Sequence, residues 1–155
     1  MGAQELLAID SSEAALALAR QSAERNGLSA QVRFLHGEAF TELAKLGETG
    51  QRFGLVIADP PSFVKSRKEL KSGARGYRKL ARLLCPVVAP GGLLFIACCS
   101  HHVDPVLFGQ EVAAGIGAGG RGARILATGG AGPDHPVHPQ LPESAYLKYQ
   151  LLQLD

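Results

Sequence analysis

Short runs of consecutive apolar residues alternate along this chain with stretches in which apolar positions recur at helical spacing. Leu6-Leu7-Ala8-Ile9 reads as a buried strand closed by Asp10. Ser11-Ser12-Glu13 then supply capping chemistry for a helix through Ala14, Leu16, Leu18 and Ala19, which stops at Asn26-Gly27. Val32 to Leu35 repeats the strand pattern and ends in His36-Gly37-Glu38, followed by a short helix from about Phe40 to Leu46. After Gly54 comes Leu55-Val56-Ile57-Ala58, again strand-like, and then Asp59-Pro60-Pro61, which forces the backbone out of a sheet at once. A helix over roughly Tyr77 to Leu84 leads to a Pro90-Gly91-Gly92 turn and to the longest predicted strand, Leu93 to Cys99. A helix from about Pro105 to Ala114, a strand at Arg124 to Ala127, a loop rich in Pro, Gly and His, and a last strand over Tyr146 to Leu154 complete the order.

Strands alternating with helices predict an α/β fold of three layers, with a mostly parallel sheet and right-handed crossovers. The last two strands lie close in sequence and are expected to form an antiparallel hairpin at the edge. At 155 residues the chain is expected to be a single domain, 1–155, able to bury about two thirds of its unfolded surface. Gly115-Ile116-Gly117-Ala118-Gly119-Gly120 matches the spacing of a nucleotide loop, but it follows a helix and precedes a strand, the reverse of what phosphate cradling needs. It is expected to be a flexible helix-to-strand turn.

Composition narrows the picture only a little. With 16 Lys+Arg against 14 Asp+Glu the net charge is +2, so attraction to nucleic acid has to come from local clustering. Cys85, Cys98 and Cys99 are an odd set with two adjacent, a poor disulfide framework that suits a reducing, cytoplasmic setting. The apolar run from Leu83 to Cys99 is broken by Pro86, Pro90, Gly91 and Gly92, and so reads as core rather than membrane.

Three features carry candidate chemistry. Acids stand at the carboxyl ends of predicted strands, where ligands of open α/β sheets bind: Asp10, placed to hold the two hydroxyls of a ribose; Glu38, with Phe40 beside it, on an adenine side; and Asp59. Helix capping is the competing role for Asp10 and Glu38. Lys65, Arg67, Lys68, Lys71, Arg75, Arg78 and Lys79, against Glu69 alone, form a basic cluster suited to phosphates, with Phe63 or Tyr77 available to stack on a base. Cys98-Cys99-Ser100-His101-His102 ends the longest strand. Neighbouring strand residues point to opposite faces and no second Cys or His pair stands at finger spacing, so no metal site is expected; Cys98 is expected to face the core and Cys99 the cleft, as a nucleophile.

Asp59-Pro60-Pro61-Ser62-Phe63-Val64-Lys65-Ser66, Gly76-Tyr77, Pro90-Gly91-Gly92, Cys99-Ser100-His101-His102, Asp134-His135-Pro136 and Tyr146-Leu147-Lys148 together resemble the bacterial 23S ribosomal RNA large-subunit methyltransferase I family, over nearly the whole chain. The resemblance implies a Rossmann-like class I fold, S-adenosyl-L-methionine as cofactor, and methylation of cytosine C5 in ribosomal RNA. It implies that Cys99 attacks C6 of the base and Asp59 holds the base edge. Asp10, Glu38, Phe40, Asp59 and Pro60 fall on the cofactor side, and Pro61, Phe63, Lys65, Arg67, Lys68, Lys71, Arg75 and Tyr77 on the RNA side. The partners implied are RNA and a second copy of the chain in a homodimer, with no membrane. Set against the family pattern, the chain is truncated at its N-terminus: the first strand with its glycine loop and an amino-terminal RNA-binding domain are missing. That leaves an expected gap between the strands ending at Asp10 and Asp59. The alternatives are methylation of a nucleic-acid nitrogen through Asp-Pro-Pro, and an inactive RNA-binding fragment.

Overall fold

A computed structural model describes residues 2–155, which fall into two compact units, one up to Glu48 and one from Thr49 to Asp155. In the first unit β1 (Leu6–Asp10) and β2 (Val32–His36) pair in parallel, with Leu6 opposite Val32 and Asp10 opposite His36. Between them runs α1 (Glu13–Arg25), and α2 (Ala39–Thr49) follows β2. The capping chemistry acts as the sequence predicts: the Ser12 hydroxyl accepts from the Ala15 amide at 3.2 Å. Leu16, Ala23 and Leu43 are the buried apolar positions of these two helices.

The second unit holds β3 (Phe53–Ala58), α3 (Leu70–Leu84), β4 (Val88–Cys98), α4 (Pro105–Ala118), β5 (Ala123–Gly129) and β6 (Lys148–Leu154). Its sheet runs β3-β4-β6-β5, with β3 parallel to β4 and β6 antiparallel to both neighbours. On α3 the buried residues Ala74, Tyr77, Ala81 and Leu84 recur every three or four positions, a single apolar stripe. Helix α3 packs against α4, whose Phe108, Val112 and Ile116 are buried as well. The Tyr77 and Phe108 rings sit edge-on at 5.4 Å. A bidentate pair between Arg78 and Glu111 fastens the same two helices.

The α/β class stands, and so does the antiparallel hairpin of the last two strands at the sheet edge: β5 is the edge strand, exposed throughout, and β6 lies inside it and buries Lys148, Gln150, Leu152 and Leu154 in alternation. Three local expectations change. Pro90-Gly91-Gly92 is a bulge inside β4 rather than a turn before it. Between Phe53, opposite Val88, and Leu55, opposite Leu93, the register shifts, and Gly91 takes a φ of 72° that favours glycine. Helix α3 begins at Leu70, well before Tyr77, because Gly73 and Gly76 let it settle against Phe63 and Val64. Helix α4 continues past Ala114 through the glycine run, which is therefore helical up to Ala118; the turn comes only at Gly119 and Gly120. The reason is close approach: Gly115 lies directly over α3, where a β-carbon would meet the Arg78 carbonyl oxygen and, at 2.7 Å, Ala81. Among the described residues no helix is long and apolar enough to cross a membrane.

Two glycines of one helix should respond oppositely to alanine. Gly115→Ala is expected to destabilise by about 1–3 kcal/mol, because the added methyl overpacks against backbone. Gly117→Ala, with nothing within 4 Å of the new carbon, is expected to stabilise by up to about 1 kcal/mol through helix propensity. Urea unfolding of the two variants reads both signs.

Candidate active site

Strands β3 and β4 are parallel neighbours, with Ala58 opposite Ile96, so the residues just beyond their carboxyl ends emerge on one rim. Beyond β3 stands Asp59, and the prolines turn the chain away; beyond β4 stands Cys99. Both line one cavity of about 510 Å³, together with Pro60 and Pro61, and with Asp134, His135 and Tyr146 from the segment between β5 and β6. The pleat separates the adjacent cysteines: Cys98 is wholly buried, and Cys99 is partly exposed and directs its thiol to the Pro60 carbonyl at 3.8 Å. Burial holds the Cys99 thiol above its ordinary pKa of 9.0. Cys98 and Asp59 push it further up, and Lys148 pulls it down.

One buried hydroxyl fixes this rim. Ser100 Oγ lies 2.8 Å from Ser62 Oγ, 2.7 Å from the Tyr77 hydroxyl and 3.4 Å from the Val64 amide. Because Ser62 gives its proton to the Val64 carbonyl, at 2.9 Å, the consistent proton order has Ser100 donating to Ser62 and accepting from Tyr77 and Val64. The Asp-Pro-Pro loop, helix α3 and the end of β4 are thereby tied at one atom. Tyr77 is fully buried in this knot, and its phenol is pushed far above 10.0, first by burial and then by Cys98. It cannot stack on a base, which removes it from the RNA-facing residues.

The remaining residues marked in the sequence fall as follows. Lys65, Arg67, Lys68, Lys71 and Arg75 are exposed along a 3-10 turn and the start of α3, whereas Arg78 is committed to Glu111. Phe63 is part-buried, its ring 4.8 Å from that of Tyr77. In the first unit Asp10 ends β1 and accepts from the Ser12 amide at 2.7 Å, while Glu38 accepts from the Thr41 amide at 3.2 Å at the start of α2. Both acids thus serve helix starts, and both are exposed; Phe40 is half-buried nearby in sequence. Among the described residues no three His, Cys, Asp or Glu side chains gather as a metal site. The sequence reading gave no role to Ser62, Ser100 or Lys148. Strand alternation held a signal for one of them: Ser100 shares the inward parity of Cys98, so its hydroxyl was bound to need buried partners.

Comparison with known proteins agrees with this geometry. The family model for S-adenosylmethionine-dependent methyltransferases matches residues 1–120. Ribosomal RNA large subunit methyltransferase I of Aeromonas salmonicida is 37% identical over 95% of the chain, and the Klebsiella pneumoniae protein of the same name is 32% identical over the same share. The chain spans 37% of the length of each. The crystal structure of SMU.776 complexed with SAH superposes on 98% of the chain and 40% of its own length, with a TM-score of 0.83 and 24% identity. That likeness establishes the Rossmann-like architecture.

Removing the Ser100 hydroxyl strands its partners in a buried place. Ser100→Ala is expected to cost about 1–3 kcal/mol, measured by urea unfolding, because the Ser62 and Tyr77 hydroxyls lose an interior partner that water cannot replace.

Proposed function

The chain belongs to the S-adenosylmethionine-dependent methyltransferase family, and we propose that it is the catalytic portion of an enzyme that methylates C5 of a cytosine in ribosomal RNA, with Cys99 as nucleophile. The observation that carries this reading is the thiol of Cys99 and the carboxylate of Asp59 lining one cavity. A methyltransferase acting on nitrogen has no use for a thiol there, because nitrogen brings its own lone pair. C5 of cytosine is a weak nucleophile until C6 is attacked, and a reversible sulfur adduct divides the hard step into easier ones.

S-adenosyl-L-methionine, when bound, supplies a methyl group on a sulfonium, an electrophile that needs an electron pair, which a ring carbon offers only when it is given carbanion-like character. Within the first unit the residues present fit part of such a group: Asp10 and Glu38 are exposed carboxylates just at or beyond strand carboxyl ends, and Asp10 would hold a ribose while Glu38 and Phe40 would face an adenine. Within the second unit, Asp59 and Pro60 line the cavity beside Cys99 and would meet the cofactor there. Toward the base, Asp59 accepts from the exocyclic amine, while Pro60 and Pro61 form a stiff wall. Cys99 loses its proton to solvent through the open cavity as sulfur bonds C6, which moves electron density to C5. Once C5 carries the methyl, a solvent water in the open cavity takes the C5 proton, the C5–H electron pair restores the 5,6 double bond and the C6–S bond breaks to release the thiolate. The target base has to leave its stack to reach this cavity. Exposed Lys65, Arg67, Lys68, Lys71 and Arg75, following the Asp-Pro-Pro loop in the chain, neutralise backbone phosphates beside it.

In the intact protein, Cys99→Ala is expected to abolish formation of 5-methylcytosine while cofactor affinity, read by calorimetry, stays within about twofold of the wild type, because the thiol acts on the base. Mass spectrometry of digested RNA reads the methylated atom; normal turnover by the variant, or a methyl on nitrogen, would sink the assignment.

A further inference from the structure

Lys148, the first residue of β6, is 8% exposed and stands opposite Cys98 in the register. Among the described residues its ammonium has main-chain carbonyls for partners and no carboxylate: it donates to Ser100 O at 2.8 Å and to Val103 O. A buried ammonium without a counterion is an expensive way to fasten a loop, since carbonyl dipoles return only part of the hydration it gives up. An amide or hydroxyl would hold the same two carbonyls at less cost, so the charge itself calls for a reason.

The two carbonyls belong to the turn between β4 and α4, and Cys99 is the residue immediately before the first of them. The Ser100 hydroxyl is already tied to Ser62 and Tyr77, so its side chain and its carbonyl are held from two directions. Cys99 therefore lies between a strand and a residue with no freedom to rotate.

We propose that Lys148 is a positioning residue for Cys99: by clamping the carbonyls of Ser100 and Val103 it holds the thiol toward the cavity and keeps a cation beside it. The groups that act on or surround this sulfur are Cys98 from β4, Asp59 from the loop after β3, and Asp134, His135 and Tyr146 from the far side of the cavity. Of the side chains that shift its titration, Cys98 and Asp59 disfavour the thiolate and Lys148 favours it. A nearby ammonium stabilises the thiolate, so removing it raises the thiol pKa and lowers the thiolate fraction at neutral pH. The catalytic consequence rests on the reading of Cys99 as nucleophile; the effect on the thiol does not.

The test is the pH dependence of Cys99 alkylation by iodoacetamide in the intact protein, mapped by peptide mass spectrometry, with neither RNA nor cofactor present. Cys85 and Cys98 are buried, so in the folded chain Cys99 is the thiol open to reagent. Lys148→Gln is expected to slow alkylation at neutral pH severalfold and to move the profile to higher pH. Lys148→Arg, which keeps the charge, is expected to retain the wild-type profile. Thermal melts identify which variant is folded, and either one decides: an unmoved Lys148→Gln profile, or a Lys148→Arg profile displaced as far as that expected for glutamine, overturns the clamp. Methyl transfer that survives Cys99→Ala would remove the nucleophile reading and leave the alkylation result standing.

Discussion

The Ser100 hydroxyl has hydrogen-bonding contact with Ser62, Tyr77 and Val64 at a point no water reaches, and the rim of the second unit depends on it. A hydroxyl in such a place is either satisfied or costly, which leaves the segments around it one good arrangement. The Asp-Pro-Pro loop is stiff within itself, but stiffness alone does not aim a carboxylate. Its aim comes from Ser62 and Val64 being held to the end of β4. Tyr77 brings helix α3 into the same knot, and its ring packs against Phe63 on one side and Phe108 on another. Strand pairing thus sets which residues leave the sheet together, and the knot sets where they point.

Electrostatics at the rim pull in two directions. Burial and the neighbouring Cys98 and Asp59 keep the Cys99 thiol protonated above its ordinary range, and Lys148 opposes them. A high thiol pKa lowers the standing thiolate fraction, yet a more basic thiolate is the stronger nucleophile toward carbon. Under the proposed mechanism, in which the sulfur adds to C6 and later leaves it, neither extreme is an advantage. The cavity mixes apolar lining from Pro60, Pro61, Tyr146 and Leu147 with the polar groups of Asp59, Asp134 and His135, a combination that suits a flat ring carrying hydrogen-bonding edges.

Most of the fold was legible because the strong signals were local. Ser12 caps α1 and Gly27 follows its end with a φ of 68°, as the sequence announces, and the apolar runs became strands within a residue or two, except that β4 starts five residues earlier than its apolar run. Failures came where tertiary packing overrode local propensity. Glycines at 73, 76 and 115 look like helix breakers in sequence, but each lies where another segment comes too close for a β-carbon. The position of β6 between β4 and β5 is a long-range fact that periodicity cannot carry, although the alternation of Lys148 to Leu154 marks it as covered on one face. At the site, the common rim of Asp59 and Cys99 was legible because each stands immediately beyond an apolar run that reads as a strand of one parallel pair. Tyr77 was misread as a surface aromatic because its neighbours Arg75, Arg78 and Lys79 are charged, whereas its place on the apolar stripe with Ala74, Ala81 and Leu84 decides its burial. The partners of Ser100 and Lys148 lie far off in the chain: strand parity marks the Ser100 hydroxyl as inward, but nothing local says what it or Lys148 meets.

The central claim is that a sulfur nucleophile and a carboxylate on one rim grip a single pyrimidine. RNA carrying 5-fluorocytidine at the target position tests it most directly, because after methyl transfer C5 holds fluorine where a removable proton should be and the sulfur adduct cannot collapse. With the intact protein and cofactor, a covalent protein–RNA complex is expected, and digestion should leave the modified nucleotide on the peptide containing Cys99. Methylation of that RNA without any trapped complex, or a nucleotide attached to a different residue, would contradict the account.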